Sequence, residues 1–363
     1  MTRYLLAGGG TAGHVNPLLA VADRIVEREP DAVIRVLGTS EGLESRLVPA
    51  RGYELVVVPK LPFPRRPNRS ALRFPGAFSR SVRLIRTIIR ELEIDVVVGF
   101  GGYVSAPAYV AARREGVPLA IHEANAKPGI ANRLGSLLSR FVGVAFRGTR
   151  LPHARFVGMP LRREIERLDR RALRAEALAF FGLDASRPVL LVTGGSQGAQ
   201  HLNETIVAGA ATIIGAGWQI LHIVGERFER RETALPHYLL LAYCDRMDLA
   251  FAATDLAVSR AGSATVSELT ALGVPAVYVP LAFGNGEQRL NAADAVRAGA
   301  ARVVENASFT ADWIREHLVP ILDDRAGLAE MSARAASIGV LDGADRTVDL
   351  VMDALASRVH WQR

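Results

Sequence analysis

His14 stands one residue beyond the last glycine of "LLAGGGTAGHVNPLLA", where Gly8, Gly10 and Gly13 are spaced G-x-G-x-x-G. An imidazole titrates near neutrality and is suited to take a proton from a reacting hydroxyl. Glu123, in "HEANAKPGIANR", competes for that role, because burial at a strand end would raise the basicity of its carboxylate. Tyr103, in "GFGGYVSAP", carries a hydroxyl better suited to positioning a substrate. His122 and His201 read as structural.

The glycine loops decide what such groups would act beside. A dinucleotide reading of the first loop needs an acid at the end of the second strand to hold a ribose. That strand, "VIRVLG", ends in Leu37, Gly38 and Thr39, and Glu41 comes too late. A second loop, Gly194-Gly195-Ser196-Gln197-Gly198, suits phosphate better. Its glycines admit close backbone approach, and the following helix start presents N–H groups and partial positive charge. No lysine follows in the Walker pattern, and no Asp-x-Asp occurs anywhere in the chain. A diphosphate would therefore be held by amides, serine and arginine, without a metal or other cofactor.

Alternating strands and helices must position these loops. Apolar, β-branched runs predict strands at Tyr4–Ala7, Val33–Leu37, Leu55–Val58, Val96–Gly99, Leu119–His122 and Phe141–Val144. Helical patterns fall at Asn16–Arg28, Ala77–Glu91, Ala106–Arg114 and Ile130–Leu138. The pattern breaks at "VGMP" and resumes with a charged helix, Arg162 to Phe181. The second glycine loop then opens a second series, with strands at Gln219–Val224, Leu239–Ala242, Leu256–Ser259, Ala276–Val279 and Arg302–Val304. This is an α/β chain of two doubly wound, parallel-sheet halves, expected to face each other across a cleft. The expected division is residues 1–157, residues 158–343, and a C-terminal helix in 344–363 packing back towards the first domain.

Composition bounds the surroundings. The 363 residues suffice for two full cores. No apolar run is long enough to span a bilayer, and the chain enters a strand almost at once, unlike a signal peptide. Cys244 is the single cysteine, which excludes an internal disulfide and fits a reducing cytoplasm. Of the net charge of +7, the stretch from Lys60 to Arg90 supplies nine basic residues and no acid, so the rest of the chain sums to −2. Phe78, Val82, Ile85 and Ile89 recur at helical spacing and should pack inward. Arg65, Arg66, Arg69, Arg80 and Arg83, interleaved with Leu61, Phe63, Leu72 and Phe74, predict a patch for an anionic membrane surface. Stacking aromatics are few and no recognition motif occurs, so nucleic acid is not expected.

Seven ordered motifs, "GGGTAGHVNP", "GFGGYVSAP", "HEANAKPGIANR", "VGMPLR", "TGGSQGA", "SRAGSATVSEL" and "GEQRLNA", closely resemble the MurG-type N-acetylglucosaminyltransferases of peptidoglycan synthesis. The resemblance covers nearly the whole chain. It implies the GT-B fold: two Rossmann-like domains facing a central cleft. It also implies inverting transfer of GlcNAc from UDP-GlcNAc to a lipid-linked MurNAc-pentapeptide, at the cytoplasmic face of the plasma membrane, by a peripheral protein that could meet the cell-wall synthesis machinery. Donor contacts are implied for Ser196 and Arg162 at the diphosphate, Glu268 at the ribose, Cys244 at the uracil and Gln288 at the sugar. Ser263, Ala264, Thr265, Val266 and Ser267 would face the phosphates, with Thr11, Ala12, Gly13 and Asn125 completing the site. The chain departs from the family pattern at Glu287, Ala12 and Met159, where glutamine, glycine and asparagine are common. A UDP-GlcNAc 2-epimerase, or a transferase with a soluble acceptor, is the alternative reading.

Overall fold

The computed structural model describes residues 1–64, 69–195, 199–226, 228, 235–281 and 286–359. The chain divides into two compact units, Met1–Arg162 with Leu341–Arg363, and Arg163–Val340.

The first unit is built on seven strands: β1 (Arg3–Gly8), β2 (Val33–Gly38), β3 (Glu54–Val57), β4 (Val96–Gly101), β5 (Leu119–Glu123), β6 (Phe141–Val144) and β7 (Ala154–Phe156). All pair in parallel, in the order β3-β2-β1-β4-β5-β6-β7. Alternating side chains sort to two faces. Tyr4, Leu6, Val36 and Val98 meet Leu18, Val21 and Ile25 of helix Ala12–Arg28 and Val348 and Val351 of helix Gly343–Val359. Leu5, Ala7, Val97 and Ile121 meet Val82, Ile85 and Ile89 of helix Arg69–Glu91 and Ala108 and Tyr109 of helix Ser105–Glu115. The C-terminal helix is fastened by ion pairs of Asp345 with Arg24 and Arg28, and of Asp349 with Arg28 at 2.6 Å.

The second unit repeats the plan with six parallel strands: β8 (Val189–Thr193), β9 (Gln219–Ile223), β10 (Tyr238–Leu241), β11 (Leu256–Ser259), β12 (Ala276–Tyr278) and β13 (Ala301–Val303). Their order is β10-β9-β8-β11-β12-β13. Leu202, Ile206, Ile213 and the buried Trp218 form one side of its core against Leu190, Val192, Ile220 and Val258.

Three local expectations are corrected, and one strand is added: β7, which has no apolar alternation because it is a short edge strand with an exposed face. The predicted helix Arg162 to Phe181 is two helices, Arg163–Glu166 and Arg170–Phe181. The break falls where the Asp169 carboxylate caps the second helix through the N–H groups of Arg171 and Ala172. The helix expected from Ala77 begins at Arg69 and carries Pro75 inside it. The first helix starts at Ala12, so His14 lies in its first turn.

Candidate active site

In the first sheet the strand order reverses between β1 and β4. Open parallel sheets bind ligands in the crevice at such a switch point, beyond the carboxyl ends of the strands. His14 follows β1 there, and Tyr103 follows β4. The His14 Nδ1 lies 3.2 Å from the Gly9 carbonyl oxygen and 3.3 Å from the Thr11 hydroxyl. A carbonyl only accepts, so the Gly9 contact is a hydrogen bond when Nδ1 carries the proton, which leaves the lone pair on Nε2. Nε2 sits over Gly101, where a Cβ would lie 3.2 Å from it and 3.5 Å from Asn132 Nδ2. With φ +89, Gly101 also has a backbone that disfavours a side chain. Ser105 ties the two strand ends together, its hydroxyl donating to Ala7 O (2.9 Å) and Gly101 O (2.7 Å).

Glu123 closes β5 and is 2% exposed. Its Oε1 accepts the Asn125 N–H at 2.8 Å; its Oε2 accepts the Gly129 N–H at 3.0 Å and Asn132 Nδ2 at 2.9 Å. Burial pushes this carboxyl above the ordinary range, while the three hydrogen bonds and the nearby His14 oppose the rise. Asn132 is a site residue that sequence reasoning missed. It is buried, accepts from Tyr109 Oη at 2.6 Å and donates to His122 O and Glu123. An amide in sequence carries no sign of its burial, so nothing there marked it. His122 donates from Nε2 to Gly158 O at 2.9 Å, and burial lowers its pKa to about 4, so it is neutral and structural. His201 likewise bonds Phe309 O. The Tyr103 ring borders Gly10, and Lys60 Nζ lies 5.9 Å from its centroid.

In the second sheet the switch lies between β8 and β11. Ser259 pairs with Thr193, and the Arg260 N–H donates to Thr193 O at 3.3 Å, so the loops after the two strands begin side by side. Helix Ser263–Ala271 starts at this point with no side-chain cap. Its first amides, from Ser263 to Thr265, and its dipole suit an anion, while the Val266 N–H already donates to Gly262 O at 2.9 Å. Ser267 and Glu268, the latter half-buried, follow on the same helix. Arg260 holds the neighbouring loops. It donates from Nη1 to Val279 O (2.8 Å), Pro280 O (3.2 Å) and Asn306 Oδ1 (2.7 Å). The Gln288 side-chain oxygen accepts the Leu281 N–H at 2.9 Å, and Glu287 opens its short helix. Cys244, just beyond β10, is buried, which pushes its thiol pKa up.

Residues 4–143 match the glycosyltransferase family 28 N-terminal domain, and residues 189–347 match the family 28 C-terminal domain. The chain belongs to glycosyltransferase family 28. It is 63% identical, over 98% of its length and 100% of the relative's, to the UDP-N-acetylglucosamine--N-acetylmuramyl-(pentapeptide) pyrophosphoryl-undecaprenol N-acetylglucosamine transferase of Leifsonia xyli subsp. xyli. The protein of that name from Streptomyces coelicolor is 49% identical over 98% of this chain and 99% of its own. Among solved structures, Acinetobacter baumannii MurG aligns with a TM-score of 0.80 at 28% identity, covering 97% of this chain and 100% of that one. A UDP-GlcNAc 2-epimerase from Neisseria meningitidis bound to UDP-GlcNAc aligns at 0.68 with 13% identity, covering 97% and 100%, a likeness of fold. This family 28 member thus has the GT-B fold, with two Rossmann-like units.

Within the first unit of the enzyme, Thr11, Ala12, Gly13, His14, Tyr103, Glu123 and Asn125 come together on the loops after β1, β4 and β5; Arg162 ends the unit. Within the second, Cys244, Ser263 to Glu268, Glu287 and Gln288 lie after β10, β11 and β12. Ser196 lies outside the described residues, as do Arg65 and Arg66 and the side chain of Arg69. Of the expected basic patch, Arg80 and Arg83 are exposed and Leu72 is 83% exposed. Leu61 is instead buried, and Phe63 and Phe74 are half-buried because their rings pack together, 5.3 Å between centroids. Arg86 and Arg90 both pair with Glu115, whose single negative charge offsets one of their two positive charges.

Proposed function

We propose that this glycosyltransferase moves GlcNAc from UDP-GlcNAc to the 4-hydroxyl of MurNAc in undecaprenyl-pyrophosphoryl-MurNAc-pentapeptide, with inversion. The observation that carries this reading is the near full-length identity to relatives named for that transfer. His14 Nε2 takes the proton of the acceptor hydroxyl as its oxygen attacks the anomeric carbon. The bond from that carbon to the diphosphate breaks, and UDP leaves with the negative charge. The geometry favours His14 over Glu123 as the base. The Gly9 carbonyl beside Nδ1 favours a proton there and a lone pair on Nε2, whereas three donors already occupy the Glu123 carboxylate. Glu123 positions Asn125, Gly129 and Asn132, and Tyr103 positions the acceptor.

The second unit holds the donor. Amides at the start of helix Ser263–Ala271, with Ser196 and Arg162, stabilise the diphosphate without reorganising. Glu268 accepts from the ribose, Gln288 binds sugar hydroxyls, and the backbone at Cys244 reads the base. The first unit, residues 1–157 in the expected division, takes the acceptor and the membrane. Among the described residues no helix is long and apolar enough to cross a bilayer. Arg73, Arg80, Arg83 and Leu72 on helix Arg69–Glu91 suit a peripheral contact with anionic lipid at the cytoplasmic face, beside the cell-wall machinery.

The test is transfer of labelled GlcNAc, with GalNAc donor alongside, to a lipid-linked MurNAc-pentapeptide. A GlcNAc-bearing lipid product and released UDP are expected. Conversion of the donor to UDP-ManNAc without acceptor would instead show an epimerase.

A further inference from the structure

A buried carboxylate behind the first glycine loop has no part in the reaction as described. Glu44 opens helix Glu44–Ala50, is 1% exposed, and its charge is met by hydrogen-bond donors rather than by a cation among the described residues. Its Oε1 accepts the Thr39 N–H at 3.0 Å and the Thr39 hydroxyl at 2.8 Å. Its Oε2 accepts the Gly10 N–H at 2.8 Å. These donors hold the carboxyl below its ordinary range despite burial, so it is an anion at neutral pH. Burying an unpaired carboxylate is costly, and a neutral side chain could fill the space more cheaply. The chain has made room for it at backbone level: a Cβ on Gly9 would lie 2.5 Å from Glu44 Oε1.

The Gly10 N–H and the Gly9 C=O belong to one peptide unit. Glu44 grips the N–H end, and the carbonyl end accepts from His14 Nδ1 at 3.2 Å. We propose that Glu44 is the positioning residue for His14, acting through that single peptide. A carboxylate on the N–H draws electron density towards the carbonyl oxygen and strengthens it as an acceptor, since hydrogen bonds in series polarise one another. A stronger acceptor fixes the proton on Nδ1, aims the ring over Gly101, and leaves Nε2 as the basic atom. A directly bonded carboxylate does the same for catalytic imidazoles elsewhere; here a peptide is interposed, and no proton passes along it. Gly102, with φ +90, completes the arrangement, because a Cβ there would lie 2.5 Å from the Gly9 oxygen.

This inference rests on His14 being the base, and the experiment separates the two. In 15N-histidine-labelled enzyme, His14 should show the Nδ1–H tautomer; an Nε2–H tautomer overturns the proposal without any variant. Glu44→Gln should lower kcat on the order of 10- to 100-fold, the usual loss on removing an orienting partner. It should also mix the His14 tautomers while the KM for UDP-GlcNAc stays put. Glu44→Asp, which keeps the charge but shortens the reach, should fall in the same direction and serves if the Gln variant does not fold. Variants that melt earlier yet keep wild-type kcat and tautomer would reduce Glu44 to a structural brace. Full turnover by His14→Ala would instead remove the base assignment itself.

Discussion

The two units build the same crevice with opposite buried charges. In the first, carboxylates hold the loops: Glu44 and Glu123 accept from the backbone N–H groups of Gly10, Thr39, Asn125 and Gly129. In the second, a guanidinium holds them: Arg260 donates to the carbonyls of Val279 and Pro280. A carboxylate consumes donors, whereas an arginine consumes acceptors. The first crevice therefore spends loop amides on its own carboxylates and keeps an imidazole lone pair for a proton. The second satisfies loop carbonyls and leaves amides at the start of helix Ser263–Ala271 to meet an anion. Burial of either ion is tolerated because each is hydrogen-bonded several times over.

The comparison breaks most visibly at His14. His14→Ala should cost 10²–10⁴-fold in kcat, the range for loss of a general base, with UDP affinity nearly unchanged. Steady-state transfer kinetics and UDP titration check this. Arg260→Ala should act on the other side, raising the KM for UDP-GlcNAc. It should also lower stability by about 2 kcal/mol, because buried carbonyls lose their donor; denaturant unfolding and donor kinetics read both.

Acid should weaken both units through a similar device. His122 and His222 are buried neutral, with pKa values lowered from 6.5 to about 4 and about 3. Between those values and 6.5 the unfolded chain binds more protons than the folded one, so stability falls as pH falls through that window. Thermal melts from pH 7 to pH 4 should show the loss, and His122→Asn should flatten part of it.

Smaller effects come from the surface. Arg80→Glu with Arg83→Glu should weaken binding to anionic vesicles by several-fold per position, at about 1 kcal/mol for each charge near the surface. Arg86→Gln should do less, since Arg86 is already ion-paired with Glu115, which it shares with Arg90. Salt-dependent co-sedimentation orders the three variants, and equal binding to neutral vesicles would refute the patch.

Much of this was legible in the chain. Buried parallel strands need continuous apolar runs, so β1, β2, β4, β5 and β11 stand out. Edge strand β7 and the helix start at Arg69 did not, because exposed or proline-bearing segments lack that signature. Glycine spacing located both loops, and side-chain chemistry marked His14 and Glu123. The roles of Asn132, Arg260 and Glu44 were hidden, since an amide, an arginine or a glutamate in sequence carries no sign of burial. Hydrophobic patterning and glycine placement are local properties, so the sequence determined by itself the two-fold repeat of sheet and loop. Which nitrogen of His14 keeps its proton, and which buried ion grips each loop, depend on contacts between segments far apart in the chain. Only the tertiary structure decided those, because a hydrogen bond has a direction that spacing along a chain does not contain.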